Sequence, residues 1–141
     1  MENSMILRLP AMSKNEALAR SVVAAFALEL NPTIDELGDI KTAVSEAVTN
    51  SIVHGYPDDP GEIEIKAEID DQVLHIEVLD NGIGIKDIPA ALQAFYTTKE
   101  NEERSGMGFT VMESFMDSLK VENRESGGLK VTMEKSLRRK I

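Results

Sequence analysis

The stretch Ser45-Glu-Ala-Val-Thr-Asn-Ser-Ile-Val-His-Gly-Tyr56 places a carboxylate and a carboxamide four residues apart near the end of a long helical pattern. Side chains at i and i+4 share one face of a helix, so Glu46 and Asn50 point the same way, one turn apart. They lie off the apolar stripe of Leu37, Ile40, Val44, Ala47, Val48 and Ser51, which the spacing assigns to the core. The helix opens at Thr33-Ile-Asp-Glu36, a capping box, runs to about Val53 and ends at His54-Gly55, with Gly55 placed as its C-cap. An Asn side-chain oxygen is a hard, neutral ligand suited to Mg²⁺, which keeps several waters and draws on phosphate oxygens. A carboxylate one turn away can accept a proton from an attacking hydroxyl or water. Taken alone, the pair is also what an ordinary exposed polar face would carry.

Upstream, Met5 to Leu9 reads as a short opening strand. Ser13-Lys-Asn-Glu16 is a second capping-box pattern, followed by Ala17, Leu18, Val22, Ala25, Phe26 and Leu30 at helical spacing, and Asn31-Pro32 stops that helix. Downstream, Ile63, Ile65, Ala67 and Ile69 alternate with charged residues, and Val73 to Leu79 alternates again after the turn Asp70-Asp71-Gln72. That pattern predicts a half-buried hairpin. A short helix is expected within 88–95, a polar loop over 97–105, a helix from Gly108 to about Leu119, and a last hairpin of 119–123 and 129–135. No repeat or long linker divides residues 1–141, so they are read as one domain. Strand, helix, helix, hairpin, loop, helix, hairpin folds most economically as an α+β two-layer sandwich, with helices on one face of a mostly antiparallel, mixed sheet.

Two glycine-rich turns join the Glu-and-Asn helix as candidate chemistry. Asp80-Asn81-Gly82-Ile83-Gly84-Ile85 directly follows a strand. Gly82 and Gly84 permit backbone angles closed to other residues and let a flat ligand approach the main chain. Asp80 is an acceptor-only carboxylate, able to receive an exocyclic amine such as that of adenine. The run is not a G-x-G-x-x-G dinucleotide fingerprint and lacks a Walker lysine. Arg104-Ser105-Gly106-Met107-Gly108-Phe109 precedes an amphipathic helix, where unpaired N–H groups and the helix dipole favour an anion. A tight strand-to-loop turn and an ordinary flexible helix start are the plain alternatives.

Composition narrows the function classes. The net charge of −10 argues against a nucleic-acid partner, which would require a basic face. It suits a partner with a basic surface, or simple solubility. The absence of Cys removes disulfides and thiolate chemistry and fits a reducing cytoplasm. No apolar stretch reaches the ~20 residues of a membrane span, and MENSMILRLP has no basic region of the kind that opens a signal peptide. The aromatic fraction of 4% leaves a core of aliphatic side chains and Met.

Taken together, these motifs resemble the GHKL (Bergerat-fold) ATPases and kinases, which include gyrase B, histidine kinases and MutL. The likeness runs over roughly residues 10 to 135: Glu46 and Asn50 match the N-box, Asp80 to Gly84 the first glycine box, and Gly106 to Gly108 the second. Within that family SEAVTNSIVHGY, FYTTKENEERSGMGFTVMESFMD and SKNEALAR look like the stand-alone anti-sigma-factor serine kinases. The resemblance implies a homodimer that binds ATP and Mg²⁺. It also implies that the protein holds a sporulation sigma factor of the sigma-F type and phosphorylates a serine of an anti-anti-sigma factor. Glu46 would be the general base and Asn50 the Mg²⁺ ligand. Asp80, Gly82, Gly84 and Ile85 would form the adenine site, Thr97, Thr98 and Lys99 the lid, and Ser105, Gly106, Met107, Gly108 and Phe109 the phosphate cradle. Glu16 and Arg20 become the expected partner contact. The family's usual Gly-Thr pair entering the last strand is absent: Leu129 and Lys130 follow Gly128, and Thr132 is the threonine left for adenine contact. A nucleotide-gated binding module without catalysis is the alternative.

Overall fold

The computed structural model of the chain describes residues 2–55, 61–92 and 103–137, giving the backbone alone for 54–55 and 103–107. β1 (Asn3–Pro10) leads into α1 (Asn15–Ala27), which tightens into a 3-10 turn at Leu28–Leu30, and then into α2 (Ile34–Asn50). A π-helical turn at Ser51–Gly55 ends α2. The hairpin of β2 (Glu62–Asp70) and β3 (Val73–Asp80), the short α3 (Ile88–Leu92), α4 (Glu103–Phe115) and the hairpin of β4 (Ser118–Asn123) and β5 (Leu129–Ser136) complete the order.

The five strands stand in the order β1-β2-β3-β5-β4. Every ladder among the described residues is antiparallel, so the sheet is not mixed in the way the sequence suggested. Alternation gives the sheet two unlike faces. Ile63, Ile65, Ala67 and Ile69 of β2, with Leu74, Ile76 and Val78 of β3, are buried on one face. Val131 and Met133 of β5 join them, because Val78 pairs with Val131 and Ile76 with Met133. The other face carries cross-strand ion pairs, Arg8 Nη2 to Glu64 Oε2 at 3.0 Å and Lys130 Nζ to Glu77 Oε2 at 3.6 Å, and a contact of His75 Nδ1 with Glu134 Oε2 at 2.7 Å. α2 lies between α1 and α4 on the buried face, and Ile40, Val44, Ala47 and Val48 supply its core stripe.

Three local expectations are corrected. The pattern Ser13 to Glu16 forms no side-chain cap. Lys14 is the N-cap of α1, and Glu16 donates its N–H to the Ser13 carbonyl at 3.2 Å instead. The buried face of α1 is Ala19, Val23, Ala24 and Ala27, whereas Leu18 is left 47% exposed. Residues 17–28 are apolar on nearly every side, so spacing alone does not single out the face. α4 begins at Glu103 rather than Gly108. Phe109, Met112 and Met116 bury one helical face in the core, and that packing outweighs the poor helix propensity of the two glycines. Thr33 caps α2 as expected: its hydroxyl accepts from the Glu36 N–H at 3.0 Å, and Glu36 accepts from the Thr33 N–H at 2.8 Å.

Candidate functional site

Glu46 and Asn50 sit on the last two turns of α2. Asn50 is only 8% exposed at the end of α2, and no side-chain hydrogen bond joins its amide to another described residue. Glu46 lies against α4: a methyl group added at Gly108 would sit 3.4 Å from Glu46 Oε1. The N-box acid and the second glycine run are therefore neighbours in space. The π-helical turn after Asn50 packs on β3, the strand that ends in Asp80.

Asp80 is buried at 2% exposure, and its Oδ1 accepts from Gly82 N at 2.9 Å and from Leu129 N at 3.2 Å. Both hydrogen bonds that the carboxylate makes among the described residues fall on Oδ1. An acceptor of this kind, fixed by backbone donors at a strand end, is suited to an amine hydrogen. Gly82, Gly84 and Ile85 follow in one turn, with Gly84 at φ 75°. The Ile85 main chain is engaged at both polar atoms: its N–H donates to Asn123 Oδ1 at 2.9 Å, and its carbonyl accepts from Asn123 Nδ2 at 2.7 Å. Gly84 is thus explained first by Asn123, because an added methyl would lie 2.5 Å from Asn123 Oδ1.

Thr132 does not join this group. On β5 it pairs with Glu77 and Lys120, on the ion-paired face, opposite to the face of Val131 and Met133. Strand alternation therefore turns its side chain away from Asp80, and Leu129 is the β5 residue whose N–H reaches the carboxylate. The run 105–109 is also rearranged relative to expectation. It lies within α4, so the N–H groups of Gly108 and Phe109 belong to the helical ladder, and Phe109 is a core side chain at 1% exposure. Unpaired donors are confined to the first turn from Glu103. Thr97, Thr98 and Lys99 lie outside the described residues, as do the side chains of Ser105 and Met107.

Glu16 and Arg20 pair across one turn of α1, Nε to Oε2 at 3.4 Å. Both atoms are buried without a hydrogen-bond partner, a distance and alignment too poor for a good one. Arg20 also lines a cavity of about 280 Å³ with Gly38, Lys41, Thr42, Ser45 and Glu46. The expected partner residues and the expected base thus share one concavity.

Sequence reasoning missed Asn123, Arg124 and Leu129. Asn123 and Arg124, with Gly84, Ile85 and Gly128, border a groove of about 370 Å³ between the first glycine turn and the β4–β5 hairpin. The only signal was turn composition in Asn123 to Gly128, which reads as a hairpin and says nothing about what the hairpin touches.

Residues 9–135 match the family model for the histidine kinase-like ATPase domain. The anti-sigma F factor of Clostridium acetobutylicum is 54% identical over 135 residues, covering 96% of this chain and 94% of that protein. That of Clostridium botulinum (strain Eklund 17B / Type B) is 56% identical over 95% and 94% of the two chains. The chain belongs to the anti-sigma F factor family. Solved structures agree on the fold of this family member. The RsbU and RsbW domains of a Mycobacterium tuberculosis protein superpose with a TM-score of 0.69 at 20% identity, over 97% of this chain and 32% of that one. The catalytic domain of the histidine kinase ThkA gives 0.60 at 17% identity, over 94% and 96%.

Proposed function

We propose that this anti-sigma F family member is both an ATP-dependent anti-sigma factor and a protein serine kinase. In this reading it holds a sigma factor of the sigma-F type away from RNA polymerase while ATP and Mg²⁺ are bound. It also phosphorylates a serine of an anti-anti-sigma factor, works as a homodimer, and does so in the cytoplasm. The names of relatives at 54–56% identity supply the sigma-factor specificity. One observation carries the chemistry: Glu46 lies against Gly108 of α4, one turn before the buried Asn50.

The residues fit the nucleotide and its metal in kind. Among the described residues no group of three or more His, Asp and Glu could hold a metal alone. A lone amide ligand such as Asn50, completed by phosphate oxygens and waters, is a usual Mg²⁺ environment. Bound Mg²⁺ would neutralise charge on the phosphates during transfer. Asp80 would accept the adenine amine, and the first turn of α4 would offer N–H groups to the phosphates. Glu46 would take the proton of the substrate serine as its oxygen bonds to the γ-phosphorus and the bond to the β–γ bridging oxygen breaks. Arg20, beside Glu46 in the same concavity, would contact the bound protein.

Transfer of labelled phosphate from Mg-ATP to a purified anti-anti-sigma protein tests this reading. Glu46→Gln should abolish transfer, with a rate loss of about 10²-fold or more, and leave ATP affinity within a few-fold. Intact ATP binding with no transfer by the wild type would instead favour a nucleotide-gated binding module.

A further inference from the structure

Two side chains of the β4–β5 hairpin hold the first glycine turn, and neither belongs to a motif that the sequence singled out. Asn123 presents its amide to Ile85 as a strand neighbour would, accepting at 2.9 Å and donating at 2.7 Å. Arg124 Nη1 donates to the Asp80 carbonyl at 2.8 Å and to Asn81 Oδ1 at 2.9 Å. β3 ends at Asp80, so the Ile85 main chain lies beyond the sheet ladder. The hairpin braces itself: Arg124 N–H donates to the Gly128 carbonyl at 2.9 Å, and Gly127 N–H to the Arg124 carbonyl at 3.0 Å.

The two segments fit because each lacks a side chain where the other arrives. A methyl group at Gly84 would press on Asn123 Oδ1, and one at Gly128 would overlap the Asp80 carbonyl and crowd the Asn81 Cα. Both glycines also have positive φ, 75° and 91°. The contact is therefore specified from both sides, in residues separated by some forty positions of chain.

We propose that Asn123 and Arg124 are positioning residues for the nucleotide-binding turn, fixing the backbone from Asp80 to Ile85 in the form that receives adenine. The inference rests on the reading of that turn as the adenine site. Rotation of the Asp80 main chain would swing its carboxylate, and Arg124 holds that main chain at its carbonyl. Glu46 and Gly108 stand on α2 and α4, away from the hairpin tip. Loss of the brace should therefore weaken nucleotide capture and spare the transfer step.

The experiment uses the full chain, as wild type, Asn123→Ala, Arg124→Ala and Arg124→Lys. Steady-state transfer is measured against ATP concentration with GTP as a competing nucleotide, and hydrogen exchange over 80–85 is followed without nucleotide. Each alanine variant should raise KM for ATP about tenfold with kcat within about twofold, as expected for a lost hydrogen bond that acts on binding alone. Preference for ATP over GTP should narrow and exchange over 80–85 should quicken. Arg124→Lys, which keeps one charged donor, should recover part of the KM. Unchanged KM and exchange in both alanine variants would overturn the proposal. So would kcat falling together with thermal stability and no recovery in Arg124→Lys, which marks a purely structural contact. A wild type that binds no ATP would overturn the adenine reading itself, and that result is visible before any variant is compared.

Discussion

Asp80 ends β3 as a buried carboxylate whose Oδ1 already accepts two backbone N–H groups. Asp80→Asn keeps one acceptor oxygen for those donors but replaces the other with an amide nitrogen. ATP affinity should fall at least about tenfold while urea denaturation shows a loss of only about 1 kcal/mol. Gly128→Ala is expected to be worse for the fold, because the added methyl overlaps the Asp80 carbonyl at a φ of 91°. A cost of roughly 2–4 kcal/mol should appear in the same denaturation. Gly38→Ala has the opposite sign: nothing lies within 4 Å of the new methyl on α2, so about 0.5–1 kcal/mol of added stability is expected. At this scale the sequence marked Glu46, Asn50, Asp80 and Gly84 because their spacing is local. Asn123 and Arg124 were invisible because their partners are distant in the chain. Thr132 was misplaced because a strand's facing depends on register, which no single residue reveals.

Two stretches with the same capping-box pattern behave differently, and the difference is measurable. Thr33 and Glu36 make both reciprocal bonds, so Thr33→Ala should cost about 1 kcal/mol in chemical denaturation. Ser13 makes no side-chain cap on α1, so Ser13→Ala should lie within about 0.5 kcal/mol of the wild type. What separates them is the entry of the chain. Asn15 ties its amide to the Pro10 carbonyl at 2.8 Å, and the Met12–Asn15 turn places Lys14, not Ser13, at the cap. The strands were legible because polar and apolar residues alternate strictly in 62–70 and again through 74–78. α4 was legible in kind but not in start, since its two glycines argue locally against a helix that Phe109 and Met112 stabilise from the core.

Charge acts at the scale of the whole molecule. A chain of net charge −10 should meet a basic partner surface faster at low ionic strength. Stopped-flow association with the sigma factor should slow by roughly tenfold or more between ~0.05 M and ~0.5 M salt, whereas a salt-independent rate would show that the contact is apolar. Non-local pairing also shapes the life of the chain. β1 pairs along its length with β2, Asn3 opposite Ile69 and Pro10 opposite Glu62. During synthesis β1 is thus a strand whose partner has not yet been made. At about 5–20 residues per second it waits on the order of several seconds with Met5, Ile6, Leu7 and Leu9 uncovered. Arg8 and Pro10, a charge and a residue with no N–H to offer, are of the kind that blunts an exposed strand edge against pairing with another chain.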